Sequence, residues 1–226
     1  MKLTGAGRTD TGVHATGQVV SLTTGSPFPL ERLLRAANAT LPPDCSIREA
    51  AIVEPGFSAR FSALERTYVY AILARPSRSA LLTRWAWHVA QPLDVATMLA
   101  TAQHALGEHD FRSFSREAPS TVRCVSRFAV EGRGELIRIE IAANAFLHRM
   151  VRSLVGTLVE CGKGRRDADE MPAMLLAADR AAAGPVAPPQ GLYLAGVRYP
   201  DGYDSFGEPP VFGGALAQLD GRQAFP

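Results

Sequence analysis

The chain reads as an α+β protein with antiparallel sheets, and three observations indicate that class. Stretches of strand character are interleaved with stretches of helical periodicity. The glycine-rich phosphate loop that opens a doubly wound nucleotide-binding fold is missing from the sequence. The 226 residues, 46% hydrophobic and 20% charged, can bury one large core or two small ones, which excludes global disorder.

The elements follow in order. GQVVSLTT, from Gly17 to Thr24, is short, β-branched and bounded by glycines, so a strand is expected there. Pro29 suits a helix first turn, and Leu30, Leu33, Leu34 and Ala37 repeat at helical spacing until the LPPD turn. A further strand is expected within Ser46 to Val53. From Leu64 to Ala74 the pattern alternates, with Tyr68, Tyr70 and Ile72 on one face and Thr67, Val69 and Ala71 on the other. Val95, Met98, Leu99, Ala102 and Leu106 predict an amphipathic helix stopped by Gly107. Strands are expected around Val122 to Val130 and Leu136 to Ala142. Leu147, Met150, Val151, Leu154 and Leu158 then mark a helix with one apolar face, His148 and Arg152 lying beside it one turn apart, and Gly162 ending it. A short helix near Met171 to Asp179 and a strand near Leu192 to Tyr199 complete the ordered part. The Gly- and Pro-rich remainder, 201–226, is expected to be a flexible tail.

No apolar run approaches the ~20 residues needed to span a bilayer, and the polar start MKLTGAGRTD has no signal-peptide core, so a cytoplasmic address without membrane attachment is the default expectation. Cys45, Cys124 and Cys161 are odd in number, widely spaced and outside any metal-ligand pattern, which argues against a disulfide framework and a structural zinc site; they are expected to be buried thiols. The formal charge is only +2, but almost every basic residue is Arg and several cluster: Arg75, Arg78 and Arg84; Arg112, Arg116, Arg123 and Arg127; Arg149, Arg152, Lys163, Arg165 and Arg166. Such clusters fit either solvated surface charge or an RNA-facing groove.

The densest polar constellation is GAGRTDTGVHATGQ, Gly5 to Gln18, where glycines surround Arg8, Thr9, Asp10, Thr11 and His14 just before a strand. Its glycines allow close backbone approach to a ligand. An isolated Arg-Thr-Asp triplet is most simply a polar turn, whereas the full string is far more specific.

At that string the chain resembles the tRNA pseudouridine synthase A family, whose signature is an AGRTDxGVHAxGQV-like loop. The resemblance continues through NATLPPD from Asn38, FSAR from Phe57, RTYVY from Arg66, NAFLHRMVRSLVG from Asn144 and GLYL from Gly191, in the same order. It implies two ferredoxin-like (RRM-like) halves around a basic cleft, residues 1–57 forming part of the first and 58–200 the second. It also implies a homodimer and isomerisation of uridine to pseudouridine at positions 38, 39 and 40 of the tRNA anticodon stem-loop, with no metal or organic cofactor. Residue by residue, Asp10 matches the catalytic carboxylate, Arg152 the arginine paired with it, Tyr68 the aromatic ring that stacks on the target uracil and a candidate for proton transfer at C5, and Arg8 a contact to the RNA backbone or the flipped nucleotide. His14 is left outside the catalytic set, because a lone histidine in a glycine loop is more often a structural hydrogen-bonder. Tyr70 is expected in the core.

The chemistry accounts for the residue types. Pseudouridine formation breaks the C1′–N1 bond, rotates the uracil and rejoins it through C5, so an ionised carboxylate is needed whether it attacks C1′, attacks C6 or removes the C2′ proton. A neighbouring guanidinium keeps such a carboxylate charged in a closed pocket. Family members normally begin with a strand, a helix and a YDG-type motif ahead of this loop, whereas Met1 stands nine residues before Asp10. The first half is therefore expected to be incomplete and the chain less stable than a longer version. Two alternatives stay open: an inactive, RNA-binding remnant of the same fold, and a nucleoside hydrolase that would release free uracil.

Overall fold

The computed structural model describes residues 3–115, 120–200, 203–207 and 209–212. In chain order they form β1 (Leu3–Gly5), β2 (His14–Ala15), β3 (Val20–Leu22), α1 (Leu30–Thr40), β4 (Glu65–Ala74), β5 (Trp87–Val89), α2 (Val95–Gln103) and β6 (Gly107–Asp110). There follow β7 (Val122–Arg133), β8 (Leu136–Ala143), α3 (Met150–Gly162), α4 (Met171–Ala177), β9 (Leu192–Arg198) and β10 (Ser205–Phe206). The α+β class expected from sequence is what forms.

The main sheet has eight strands in the order β10-β9-β4-β8-β7-β6, with β2 added in parallel to β9 and β5 in parallel to β4. Its long pairs are antiparallel: Tyr68 faces Ile141 of β8 and Leu194 of β9. The two faces of β4 divide as its alternation predicts. Tyr68, Tyr70 and Ile72 join the main core with Met98 and Ala102 of α2, Ile139 and Ile141 of β8, and Leu154 and Leu158 of α3. Ala71 and Leu73 join a smaller cluster with Leu82, Ala86, Tyr193 and Val211 on the other side.

Asp94 caps α2, its Oδ1 accepting from Ala96 N at 3.0 Å and Thr97 N at 3.2 Å. α3 is buried almost all round rather than along one face; only Arg152 and Glu160 are partly exposed. By contrast α1, whose Pro29 and leucines fall as expected, buries no residue. Since each large apolar side chain taken fully out of water contributes about 1.5–3 kcal/mol, the stability lies with the main sheet, α2 and α3.

Several expectations change. No strand forms within residues 46–53; instead the Asn38 side chain pairs with Ile47, accepting from its N at 2.7 Å and donating to its O at 2.8 Å, and so occupies the groups a partner strand would use. Cys45 and Cys124 are exposed, and only Cys161 is buried. The expected tail is held down at its start: Ser205 and Phe206 pair with Val197 and Gly196, and Val211 is fully buried. Residues 201, 202, 208 and 213–226 of that tail lie outside the described residues, as does Arg116. Most of the basic clusters are tied to nearby acids, Arg75 to Glu135, Arg112 to Asp110, Arg127 to Glu140, and both Lys163 and Arg165 to Glu160. No helix among the described residues is long and apolar enough to cross a membrane.

Candidate active site

The polar loop is pinned at both ends. β1 and β3 pair antiparallel, Gly5 facing Val20, and the pairing is prolonged by Ala6 N donating to Val19 O at 2.9 Å. Gln18 then acts as a strand substitute, its Nε2 donating to Gly7 O at 2.8 Å while its Oε1 accepts from Gly7 N at 3.4 Å. On the far side, Thr16 N and Gly17 N both donate to Leu194 O at 3.0 Å. A Cβ on Gly17 would fall 2.2 Å from Ala195 O, so only glycine allows this approach to β9.

His14 is one of these anchors. Its ring stacks between Trp85 and Tyr193, both centroids 4.9 Å away, and its Nε2 donates to the Arg84 carbonyl at 2.8 Å. Both imidazole faces and Nε2 are thus engaged in packing. Between the anchors the loop turns, with Val13 N donating to Asp10 O at 3.0 Å.

Asp10 meets the start of α3. Arg152 Nη1 donates to its Oδ2 at 2.6 Å, across 142 residues of sequence. His148 Nε2 stands 3.4 Å from Oδ1, and Arg149 Nε 3.9 Å from Oδ2. Side-chain exposure decreases from 51% at His148 through 27% at Asp10 to 12% at Arg152, which describes a site open on the histidine side and closed behind the arginine. A second bond holds Arg152 in place, Nε to Ala187 O at 2.7 Å, and Ala187 N returns one to Arg152 O at 3.0 Å. The segment making these bonds crosses α3 so closely that a Cβ on Gly156 would lie 1.7 Å from Pro185 O. Arg149, just ahead of the helix, has φ 60, a left-handed conformation that costs a non-glycine residue energy and turns the chain into the first turn carrying Arg152.

Tyr68 lies under the same loop. It is buried, its ring meets Phe146 edge-on at 5.1 Å, and a Cβ on Gly7 would sit 3.5 Å from its hydroxyl. Burial pushes the phenol up to about 12; Arg66 pulls it down, and the charge of Asp10 pushes it up. At neutral pH it is therefore a hydrogen-bond donor, and its ionised form is negligible. Tyr70 is fully buried, donates to Pro188 O at 2.7 Å and is likewise raised by burial. Arg8 is exposed and makes no hydrogen bond or ion pair with any described residue.

A stability prediction follows from Tyr68. Its folded value of about 12 stands above the ordinary ~10, so the stabilisation is complete below pH ~10 and is lost as pH rises towards 12, about 2–3 kcal/mol in all. Tyr68→Phe should make the decline of the urea midpoint between pH 9 and 11 shallower. Tyr70, Tyr193 and Tyr199, also raised by burial, will leave part of the slope. An unchanged slope would contradict the burial of this phenol.

Of the residues singled out from sequence, Asp10 and Arg152 are in direct contact, Tyr68 is beneath the loop that carries Asp10, and Arg8 projects outward. The contacts of His148 and Arg149 with Asp10 and the Gln18 clamp were not foreseen. His148 and Arg149 stand directly before Arg152 in NAFLHRMVR, which was the available signal; nothing in the sequence marks Gln18 as a clamp. Among the described residues no group of three or more His, Cys, Asp or Glu side chains could hold a metal ion. A cavity of about 630 Å³, bounded by Asp94, Cys161, Arg166, Asp167 and Glu170, belongs to the far end of α3 and includes none of these site residues.

Comparison with known proteins identifies the family. The model of a family described as tRNA pseudouridine synthase matches residues 101–200. A protein of Caulobacter vibrioides (strain NA1000 / CB15N) named tRNA pseudouridine synthase A is 46% identical over 205 residues, covering 89% of this chain and 83% of that protein. Proteins of the same name from Allorhizobium ampelinum and Thermoanaerobacter sp. (strain X514) are 47% and 42% identical, covering 87% and 88% of this chain and 78% and 83% of theirs. The loop carrying Asp10 and the helix carrying Arg152 are accordingly those of a chain that belongs to the tRNA pseudouridine synthase A family.

Proposed function

We propose that the chain isomerises uridine to pseudouridine at positions 38, 39 and 40 of the tRNA anticodon stem-loop, with Asp10 as the reacting carboxylate and without metal or organic cofactor. The observation that carries this reading is the 2.6 Å contact between Arg152 and Asp10, made by two of the segments that carry the resemblance to the family. Arg152 balances the charge of Oδ2, which leaves Oδ1, beside half-exposed His148, as the oxygen offered to the substrate. Tyr68 supplies an aromatic face for the uracil and a protonated phenol for its polar edge. Exposed Arg8 is free to meet a phosphate or fill the space left by the target nucleotide, which must leave the stack to be reached.

The same reading includes two ferredoxin-like halves flanking a basic cleft, a homodimer and a cytoplasmic site of action. The names of the relatives support the reaction and the RNA substrate. Rejoining uracil through C5 expels the C5 proton, so tRNA carrying [5-³H]uridine should release tritium in the presence of EDTA. No release from a folded sample would refute the enzyme, and free uracil in place of pseudouridine would make it a hydrolase.

A further inference from the structure

Arg66 lies on β4 two residues before Tyr68, and among the described residues no carboxylate pairs with its guanidinium. Its donors go to peptide carbonyls instead. Nη1 donates to Asn144 O at 2.9 Å and Ala63 O at 3.1 Å; Nε and Nη2 reach Ala6 O at 3.4 and 3.3 Å; Nη2 also donates to Arg60 O. These acceptors come from three separate segments. Ala6 opens the loop that turns at Asp10, and Asn144 opens the run that ends at His148, Arg149 and the first turn of α3. Asn144 is itself fixed, its Oδ1 accepting from Cys124 N at 3.1 Å and Ala145 N at 2.8 Å. Tyr68 packs between Gly7 and Phe146, and among the described residues Arg66 is the side chain whose hydrogen bonds, to Ala6 and Asn144, tie the backbones of these two runs together.

We propose that Arg66 is a positioning residue for the isomerisation, setting through the backbones of Ala6 and Asn144 the distance at which Asp10 meets Arg152. The inference rests on the assignment of Asp10 and Arg152 as the working pair. A planar guanidinium satisfies carbonyls in several directions at once, whereas an ammonium on a flexible stem does not hold the same set. A displacement of about 1 Å at a reacting group costs on the order of 10²-fold in rate.

Arg66→Lys is therefore expected to lower the single-turnover rate at saturating tRNA roughly 10- to 100-fold while the Kd for tRNA stays within about threefold. Arg66→Ala should do the same or worse. Circular dichroism at the assay temperature verifies folding. A lower Tm with an undiminished rate would assign Arg66 to stability alone, and a raised Kd with an undiminished rate would make it an RNA contact; either overturns the proposal, as does failure of both variants to fold. Asp10→Asn is measured alongside. Activity in that variant would refute the site itself, whereas an inactive Asp10→Asn beside a normal Arg66→Lys refutes only the role given to Arg66.

Discussion

Asp10→Asn is expected to lower tritium release from [5-³H]uridine tRNA by at least ~10³-fold while tRNA binding stays within about threefold. The amide preserves the volume of the side chain and can still accept from Arg152 through its oxygen. What disappears is the negative charge and the lone-pair basicity that any of the three routes requires, whether attack at C1′, attack at C6 or removal of the C2′ proton. Binding is expected to survive because the substitution leaves Arg8, Arg149 and Arg152 in place as the cations that the proposed function offers to phosphate. Near-normal turnover in this variant would mean that another group carries the chemistry, and the assignment of Asp10 would be wrong.

Arg152→Ala should damage rate and binding together, by roughly 10²–10³-fold in rate and several-fold in tRNA affinity. Three losses coincide. Asp10 keeps only the more distant His148 and Arg149, the Ala187 carbonyl loses its side-chain donor, and the RNA surface of the proposed function loses a cation. Arg152→Lys should fall between, because an ammonium keeps the charge but does not reach Asp10 and Ala187 with the fixed fork of a guanidinium. With the arginine 12% exposed and the carboxylate 27% exposed, solvent screens part of the interaction, and the loss of stability should be on the order of 1–3 kcal/mol. An Arg152→Ala protein that works within a few-fold of the parent would show the pair to be structural.

The elements that were legible in the sequence are those whose pattern is set by burial on one or two faces. β4 alternates because one face meets α2 and α3 and the other meets Leu82 and Tyr193, and the periodicity of α2 announces its packing; α3 was legible as a helix, but its burial almost all round was not. β5 and β6 were not legible. Each is short, and β5 exists because Trp87 to Val89 run alongside Ile72 to Ala74, a partnership between distant segments that local propensity does not contain. The strand expected at 46–53 failed for the reverse reason: its residues suit a strand, but the side chain of Asn38 takes up the groups of Ile47.

The site was legible as a string and not as a geometry. Asp10 and Arg152 stood out because the residues around them match a known signature, but spacing alone does not bring together residues 142 positions apart. That contact depends on Leu194 anchoring the loop, Gly156 admitting the crossing chain and Arg149 turning left-handed at the start of α3, all of them tertiary constraints. His148 was visible only as the polar flank of a helix, and Arg149 only as a member of a basic cluster. Arg66 was visible only as the first residue of the RTYVY match, because backbone carbonyls as partners leave no trace in sequence.

The most direct measurement is site-resolved mapping of pseudouridine in an unmodified tRNA transcript carrying uridines at positions 38, 39 and 40, incubated with the wild-type chain in EDTA. The predicted result is pseudouridine at those positions and nowhere else in the transcript. Pseudouridine confined to other positions, or free uracil with an abasic site, would contradict the reading of Asp10 and Arg152 as the pair that isomerises uridine in the anticodon arm.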